Sequence, residues 1–182
     1  MKKVIECVPN FSEGRDLAVI RQITDAIESV QGIRLLDVDP GESTNRTVVT
    51  FIGEPEPVKE AAFRAVQKDA ELIDMSSHQG EHSRFGATDV CPFVPVAGAS
   101  MEDCAEIARQ VGQRIGDELG IPVYLYENAA STPQRQNLAD VRSGEYEGLP
   151  EKLANPEWIP DFGPAEFKPK SGAIAVGARE FL

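Results

Sequence analysis

Residues 3–52, KVIECVPNFSEGRDLAVIRQITDAIESVQGIRLLDVDPGESTNRTVVTFI, contain a strand, a helix and two more strands in succession. KVIECV (3–8) reads as a strand. Residues 16–31 carry Ile20, Ile23, Ile27 and Val30 at helical spacing, and Gly32 ends that helix. Ile33–Val38 and Thr47–Ile52 read as strands joined by the polar turn PGESTN. Further on, Val58, Ala62, Ala65 and Val66 share one face of a second helix, from about Pro55 to Glu71, whose first turn tolerates proline. A short strand is expected near Leu72–Met75. CPFVPV (91–96) is an apolar strand that its prolines, Pro92 and Pro95, assign to an edge or an end. Ser100 to Asp103 resembles a capping box and opens a third helix, with Ile107, Val111, Ile115 and Leu119 as its core stripe. Pro122–Tyr126 is a strand, 134–142 a short helix, 144–172 a proline-rich loop region and Ala173–Val176 a last strand. The order βαββαβ followed by βαβ implies an α/β chain, an α+β sandwich with a ferredoxin-like mixed sheet. The three long helices each have one apolar face, so they pack together on one face of that sheet. The other face then needs cover, because an apolar sheet face left in water favours self-association.

A chain of 182 residues fits a single domain with a substantial core. Its 41% hydrophobic and 26% charged content is ordinary. No apolar run reaches the length of a membrane span, and MKKVIECVPNF reads as a strand start, not a signal peptide. Cys7, Cys91 and Cys104 have no CxxC spacing and read as small buried hydrophobes, reduced, in a cytoplasmic protein. A net charge of −12 argues against nucleic acid as a partner. It is also awkward for a polyanionic substrate, unless Arg15, Arg46, Arg84, Lys168 and Lys170 supply a local basic site. Phosphate-cradling GxxxxGK[ST], dinucleotide GxGxxG and hydrolase GxSxG motifs are absent.

Residues 74–95, DMSSHQGEHSRFGATDVCPFVP, hold both histidines, His78 and His82. Histidine is the side chain that titrates nearest neutral pH. On a helix, H-x-x-x-H could bind zinc. Gly80 and the polar neighbours argue for a loop, and no third ligand lies nearby in sequence, so no metal is expected. By spacing alone, His82 reads more often as a hydrogen-bonded loop histidine than as a catalyst. Asp89 reads as a loop-fixing acceptor of backbone hydrogen bonds.

The run His78, Gly80, Glu81, His82, Arg84, Gly86, Ala87, Thr88, Asp89, Val90 resembles the signature of the formiminotransferase family. So do CVPNFSEGR (7–15), DVDPGESTNRTVVTF (37–51), LYENAA (125–130), GEYEGL (144–149) and PDFGPAEFKPKSGAIAVGAREFL (160–182). The resemblance spans essentially the whole chain. It departs at Ser83, where the family has proline, which loosens the loop beside His82. It departs also in extent: the family's enzymes have two α/β subdomains, and residues 1–182 match the N-terminal one, so the C-terminal subdomain is expected to be absent from this chain.

The resemblance implies transfer of a formimino group from N-formimino-L-glutamate to tetrahydrofolate, a step of histidine degradation. Tetrahydrofolate is the co-substrate. Formiminoglutamate and folate are the partners, together with a second copy of the chain or a C-terminal subdomain, and the substrates lie between two facing sheets. His82 is the implied catalytic residue. The attacking nitrogen must lose a proton and the departing glutamate amine must gain one, and a group titrating near neutrality serves both steps. The implied folate segment is 163–172, with Gly163, Pro164, Phe167, Lys168, Pro169 and Gly172. Its glycines let backbone approach a flat ring, Phe167 can stack and lysines can meet carboxylates. Four further residues have two readings each. Asp39 is a substrate-facing acid or a turn residue. Arg46 and Arg84 bind glutamate carboxylates or form ordinary ion pairs. Asn10 lines a pocket or holds a turn. The alternative function is a non-catalytic folate-binding or partner-binding module.

Overall fold

The computed structural model describes residues 2–81 and 83–181. The elements in chain order are β1 (Val4–Cys7), β2 (Asn10–Phe11), α1 (Leu17–Glu28), β3 (Arg34–Gly41), β4 (Arg46–Gly53), α2 (Pro55–Leu72), β5 (Thr88–Ala97), α3 (Met101–Arg114), β6 (Val123–Glu127), α4 (Leu138–Val141), α5 (Leu149–Ala154) and β7 (Ile174–Ala178). β1 and β2 act as one strand broken at Val8–Pro9, since both pair antiparallel with β4 on one side and β5 on the other. The spatial order is therefore β3, β4, β1 with β2, β5, β7, β6. Up to β5 this is the antiparallel ferredoxin-like order. β7 then lies between β5 and β6 and runs parallel to both.

Local chemistry sets the helix boundaries. The Asp16 carboxylate caps α1 by accepting from the backbone of Ala18 and Val19. Ser100 and Asp103 form the reciprocal capping box of α3, and Pro55 sits in the first turn of α2. Beyond α3 the chain widens into a π turn, Ile115–Leu119, and stops at Gly120 in the left-handed region. The sequence placed the end of α1 at Gly32, but the helix caps at Ser29 and Gly32 turns three residues later with φ 92°.

Several expectations are corrected. Leu72–Met75 is no strand: the Ile73 amide closes α2 on Asp69, and Met75–Ser77 forms a 3-10 turn. β5 is central, not an edge. Its prolines are tolerated because they face irregular points of the ladder. Pro92 lies at the Val8–Pro9 break and accepts from the Val8 amide at 3.2 Å. Pro95 pairs with Ile5 at a register shift. The loop-rich 144–172 region contains α5 and the 3-10 turn Pro156–Trp158.

α1, α2 and α3 cover one face. Val49 and Phe51 point inward from β4 and join Ile20, Ile23 and Ile27 of α1 and Val58, Ala62 and Val66 of α2 in one buried cluster. Full burial of each such branched or aromatic side chain contributes about 1.5–3 kcal/mol. Cys7, Cys91 and Cys104 are buried free thiols in this layer. On the other face, the chain itself covers the half formed by β5, β7 and β6. Val141, Leu149, Leu153 and Trp158 pack there on Phe85, Val90, Tyr124, Tyr126 and Ala175. Arg135 locks this cap, paired with Asp161 at 3.2 Å and 5.3 Å from the ring centres of both Tyr124 and Trp158. The other half of this face, on β3, β4 and β1, is open, and Leu36, Val96 and Phe181 are exposed beside it. Among the described residues, no helix is long and apolar enough to cross a membrane.

One buried acid links α2 to the start of β5. Asp69 is fully buried, bonded to the Thr88 hydroxyl, and burial raises its carboxyl well above the usual range. A carboxyl whose folded pKa is raised adds stability that is full below its unfolded pKa and is lost as pH climbs through the folded value. Asp69→Asn should therefore remove a decline in unfolding free energy that the parent shows as pH rises above about 4. Urea unfolding at a series of pH values measures it, and an unchanged slope would contradict it.

Candidate active site

Three segments meet at the end of the sheet where β2 ends and β4, β5 and β7 begin: the turn before β4, the histidine loop, and the chain leading into β7. Asn45 ties the first two together. Its backbone is left-handed (φ 52°), a conformation asparagine tolerates. Its side chain accepts from the Gly14 amide at 2.9 Å and donates to the Gln79 carbonyl at 2.9 Å. Its own carbonyl lies 3.0 Å from Nε2 of His78. A carbonyl only accepts, so His78 carries its proton on Nε2. The Glu81 amide adds a bond to Ser43 O at 3.2 Å. Gly80 approaches this turn so closely that a Cβ would overlap the Thr44 carbonyl.

His78 is buried, and desolvation lowers its pKa below the usual value, so the ring is neutral in the folded protein at pH 7. The unfolded chain binds that proton more readily. Stability should therefore fall as pH drops below about 6.5. His78→Gln should flatten this component, measured as the unfolding midpoint between pH 7 and 5. The parent's acid slope persisting in the variant would assign the loss to other groups.

His82 lies outside the described residues. The residues before and after it in the chain, Glu81 and Ser83, line a polar cavity of about 400 Å³ with His78, Gln79, Gly80, Arg84, Glu145 and Glu147. Arg84 is held within the protein. Its guanidinium donates to the carbonyls of Met75 (3.2 Å) and His78 (2.9 Å), pairs with Glu147, and sits 5.0 Å from the centre of the Tyr146 ring. This is the ion-pair reading of Arg84.

Arg46 has different surroundings. It projects from β4 on the open face, where Nε donates to Asn10 Oδ1 (3.0 Å) and Nη1 donates to Ser83 O (3.3 Å) and to Asp89 Oδ2 (2.6 Å). Asn10 also donates to Val8 O at 3.0 Å, so it braces the break between β1 and β2 and holds Arg46. Among the described residues, Asp89 accepts side-chain bonds and not the backbone bonds that the sequence suggested. It sits at a bulge, where two residues of β5 oppose one of β2. The bulge lets Thr88 face Asp69 in the helix layer while Asp89 faces the arginines. A second guanidinium, Arg142, reaches the same carboxylate oxygen at 2.5 Å. Asp89 is 0% exposed, Arg46 13% and Arg142 19%. Asp39 is exposed on the same face, in register with Val48 and so with Asn10, but it lies within β3, not in a turn.

The segment 163–172 runs along the starts of β6, β7 and β5. The structure uses its glycines for close contacts with backbone. Gly163 (φ 81°) abuts the Ile121 carbonyl, and Gly172 (φ 68°) bridges to Gly86. Its second half joins the histidine loop: Met75 N–H donates to Lys170 O (2.8 Å), Ala87 N–H to Ser171 O (2.9 Å) and the Tyr146 hydroxyl to Pro169 O (2.6 Å). Half-buried Phe167 lies 5.5 Å from Tyr146 between ring centres. Lys168, also half-buried, is 3.4 Å from Glu166, and Pro164 is half-buried.

A model of the formiminotransferase domain, N-terminal subdomain, matches residues 4–179. The chain belongs to the formiminotransferase family. It is 58% identical to mouse (Mus musculus) formimidoyltransferase-cyclodeaminase over 182 residues, all of this chain and 34% of that protein. It is 50% identical over 179 residues to the glutamate formimidoyltransferase of Streptococcus pyogenes serotype M1, covering 98% of this chain and 60% of that one. The Thermoplasma acidophilum glutamate formimidoyltransferase is 49% identical over 181 residues, covering 98% and 59%. The chain thus spans about a third of the length of the first kind of relative and about 60% of the second.

Within this formiminotransferase subdomain, Asn10, Arg46 and the second half of 163–172 come together around the histidine loop. Arg84 braces that loop, and Asp39 shares the register row of Asn10, two strands over. Sequence reasoning missed Arg142 and Asn45. Asn45 had a signal, an asparagine in a polar turn between two strands. Arg142 had none, being one arginine in a polar stretch whose partner lies 53 residues away.

Proposed function

We propose that this chain is the N-terminal half of a glutamate formimidoyltransferase of the cytoplasm. It moves a formimino group from N-formimino-L-glutamate to tetrahydrofolate in histidine degradation, releasing L-glutamate. The observation that carries this reading is the convergence of the histidine loop, the Arg46–Asp89–Arg142 cluster and residues 167–172 at one end of the sheet. Tetrahydrofolate supplies the nucleophilic nitrogen. The Phe167–Tyr146 ring pair suits a flat ring, and Lys168 suits a carboxylate. His82 takes the proton from the attacking nitrogen and returns one to the departing glutamate amine, so a single residue serves as base and then acid. A second copy of this chain, or a C-terminal subdomain, covers the open half-face and closes the site.

Incubation of the protein with formiminoglutamate and tetrahydrofolate, with released glutamate measured, tests the reading. Release above the uncatalysed rate, from the chain alone or with a C-terminal subdomain added, supports it. Folate binding without release in either case overturns it in favour of a folate-binding module.

A further inference from the structure

We propose that Arg142 joins Arg46 in a carboxylate-binding site on the open sheet face, with Asp89 as the buried post that holds both guanidiniums. The formimino-transfer reading enters only in choosing which carboxylates to test.

The charge count is the first argument. Two guanidiniums share one carboxylate, so this trio by itself has one more cation than anion, in a chain of net charge −12. A negatively charged protein repels an anionic substrate at long range, but within the Debye length a local pair of cations governs capture. Geometry is the second. Both arginines use Nη1 on the same oxygen, Oδ2, while the buried Oδ1 has no hydrogen-bond partner among the described residues. A carboxylate serving only as an ion-pair partner would gain by engaging each arginine with a separate oxygen. Convergence on one oxygen instead brings the two guanidiniums together. The Arg142 side chain bonds only to Asp89 among the described residues, through Nη1, so its Nε and Nη2 donors remain for a ligand. A planar guanidinium edge is suited to bidentate binding of a carboxylate. Position is the third. Arg46 also holds the carbonyl of Ser83, the residue next to His82. A carboxylate bound here lies beside the histidine loop, on the face that the three long helices leave free.

Two carboxylates have this chemistry, those of the formimino donor and those of a folate glutamyl tail. Calorimetric titration separates them, using L-glutamate against its diamide and folic acid against its diamide. The parent protein should prefer at least one acid over its diamide, and Arg142→Gln should cut that preference about tenfold or more, as expected for loss of a charge-assisted bond. The unfolding temperature is read in parallel. If Arg142→Gln does not fold, Arg142→Lys replaces it, keeping the charge without the fork, and should lose part of the preference. A loss confined to the L-glutamate pair assigns the site to the donor, and one confined to the folic acid pair assigns it to the tail. Equal binding of acid and diamide by the parent, or an undiminished preference in a folded variant, overturns the proposal. Failure of glutamate release in the turnover assay, with the acid preference intact, would instead count against formimino transfer.

Discussion

His82→Ala should slow glutamate release by ~10²–10⁴-fold, the range for loss of a general acid–base residue. The fall should appear in kcat, with the apparent affinity for both substrates nearly unchanged, because the imidazole acts on protons and not on carboxylates. Three described side chains of the loop and its cluster are engaged elsewhere. His78, the other histidine, spends Nε2–H on the Asn45 carbonyl, and burial keeps it neutral. Asp89 is shared by two arginines. The Arg84 guanidinium offers only donors, and they are spent on the Met75 and His78 carbonyls and on Glu147. Added imidazole should restore part of the rate, since the deleted ring leaves space for it. A variant that turns over at the parent's rate would remove His82 from the chemistry and leave the histidine loop with a structural role.

The fold was legible where one physical signal dominated. The apolar spacing of Ile20, Ile23 and Ile27 and of Ile107, Val111 and Ile115 marked α1 and α3, and all six are buried. The capping box at Ser100 was present as read. Misreadings came where tertiary context overrode a local rule. Pro92 and Pro95 argued for an edge or an end of a strand, yet β5 is central and Pro92 lies well inside it, because the ladder is already interrupted opposite each of them. The cover over β6 and β7 was invisible because α4 and α5 are too short to show a period. Their stability rests on Arg135, Trp158 and Asp161, contacts made through the fold. The site divides in the same way. Residues brought together by strand register, such as Asn10 and Arg46, lay inside recognisable stretches, whereas Arg142 reaches Asp89 from the end of a four-residue helix.

That distant pairing sets the largest expected loss of stability. Asp89→Ala should cost about 3–5 kcal/mol, the range for removing one partner of a buried ion pair. Two mostly buried guanidiniums would then lose the carboxylate they share. A domain of this kind has only about 5–15 kcal/mol in total, so the variant should unfold at a much lower urea concentration with an unchanged slope. Asp89→Asn keeps the shape and should still lose a large part, because an amide oxygen accepts the bonds without neutralising either arginine. Adding Arg142→Met to Asp89→Ala should recover stability by removing one of the stranded charges. Asp89→Ala, Arg142→Met and the double variant form a double-mutant cycle with the parent, and a favourable coupling energy of more than about 1 kcal/mol is expected for groups in direct contact. Strictly additive losses would mean that Asp89 and Arg142 act independently. The carboxylate would then hold Arg46 alone, and the trio's extra cation would be incidental to the way the bulge is built.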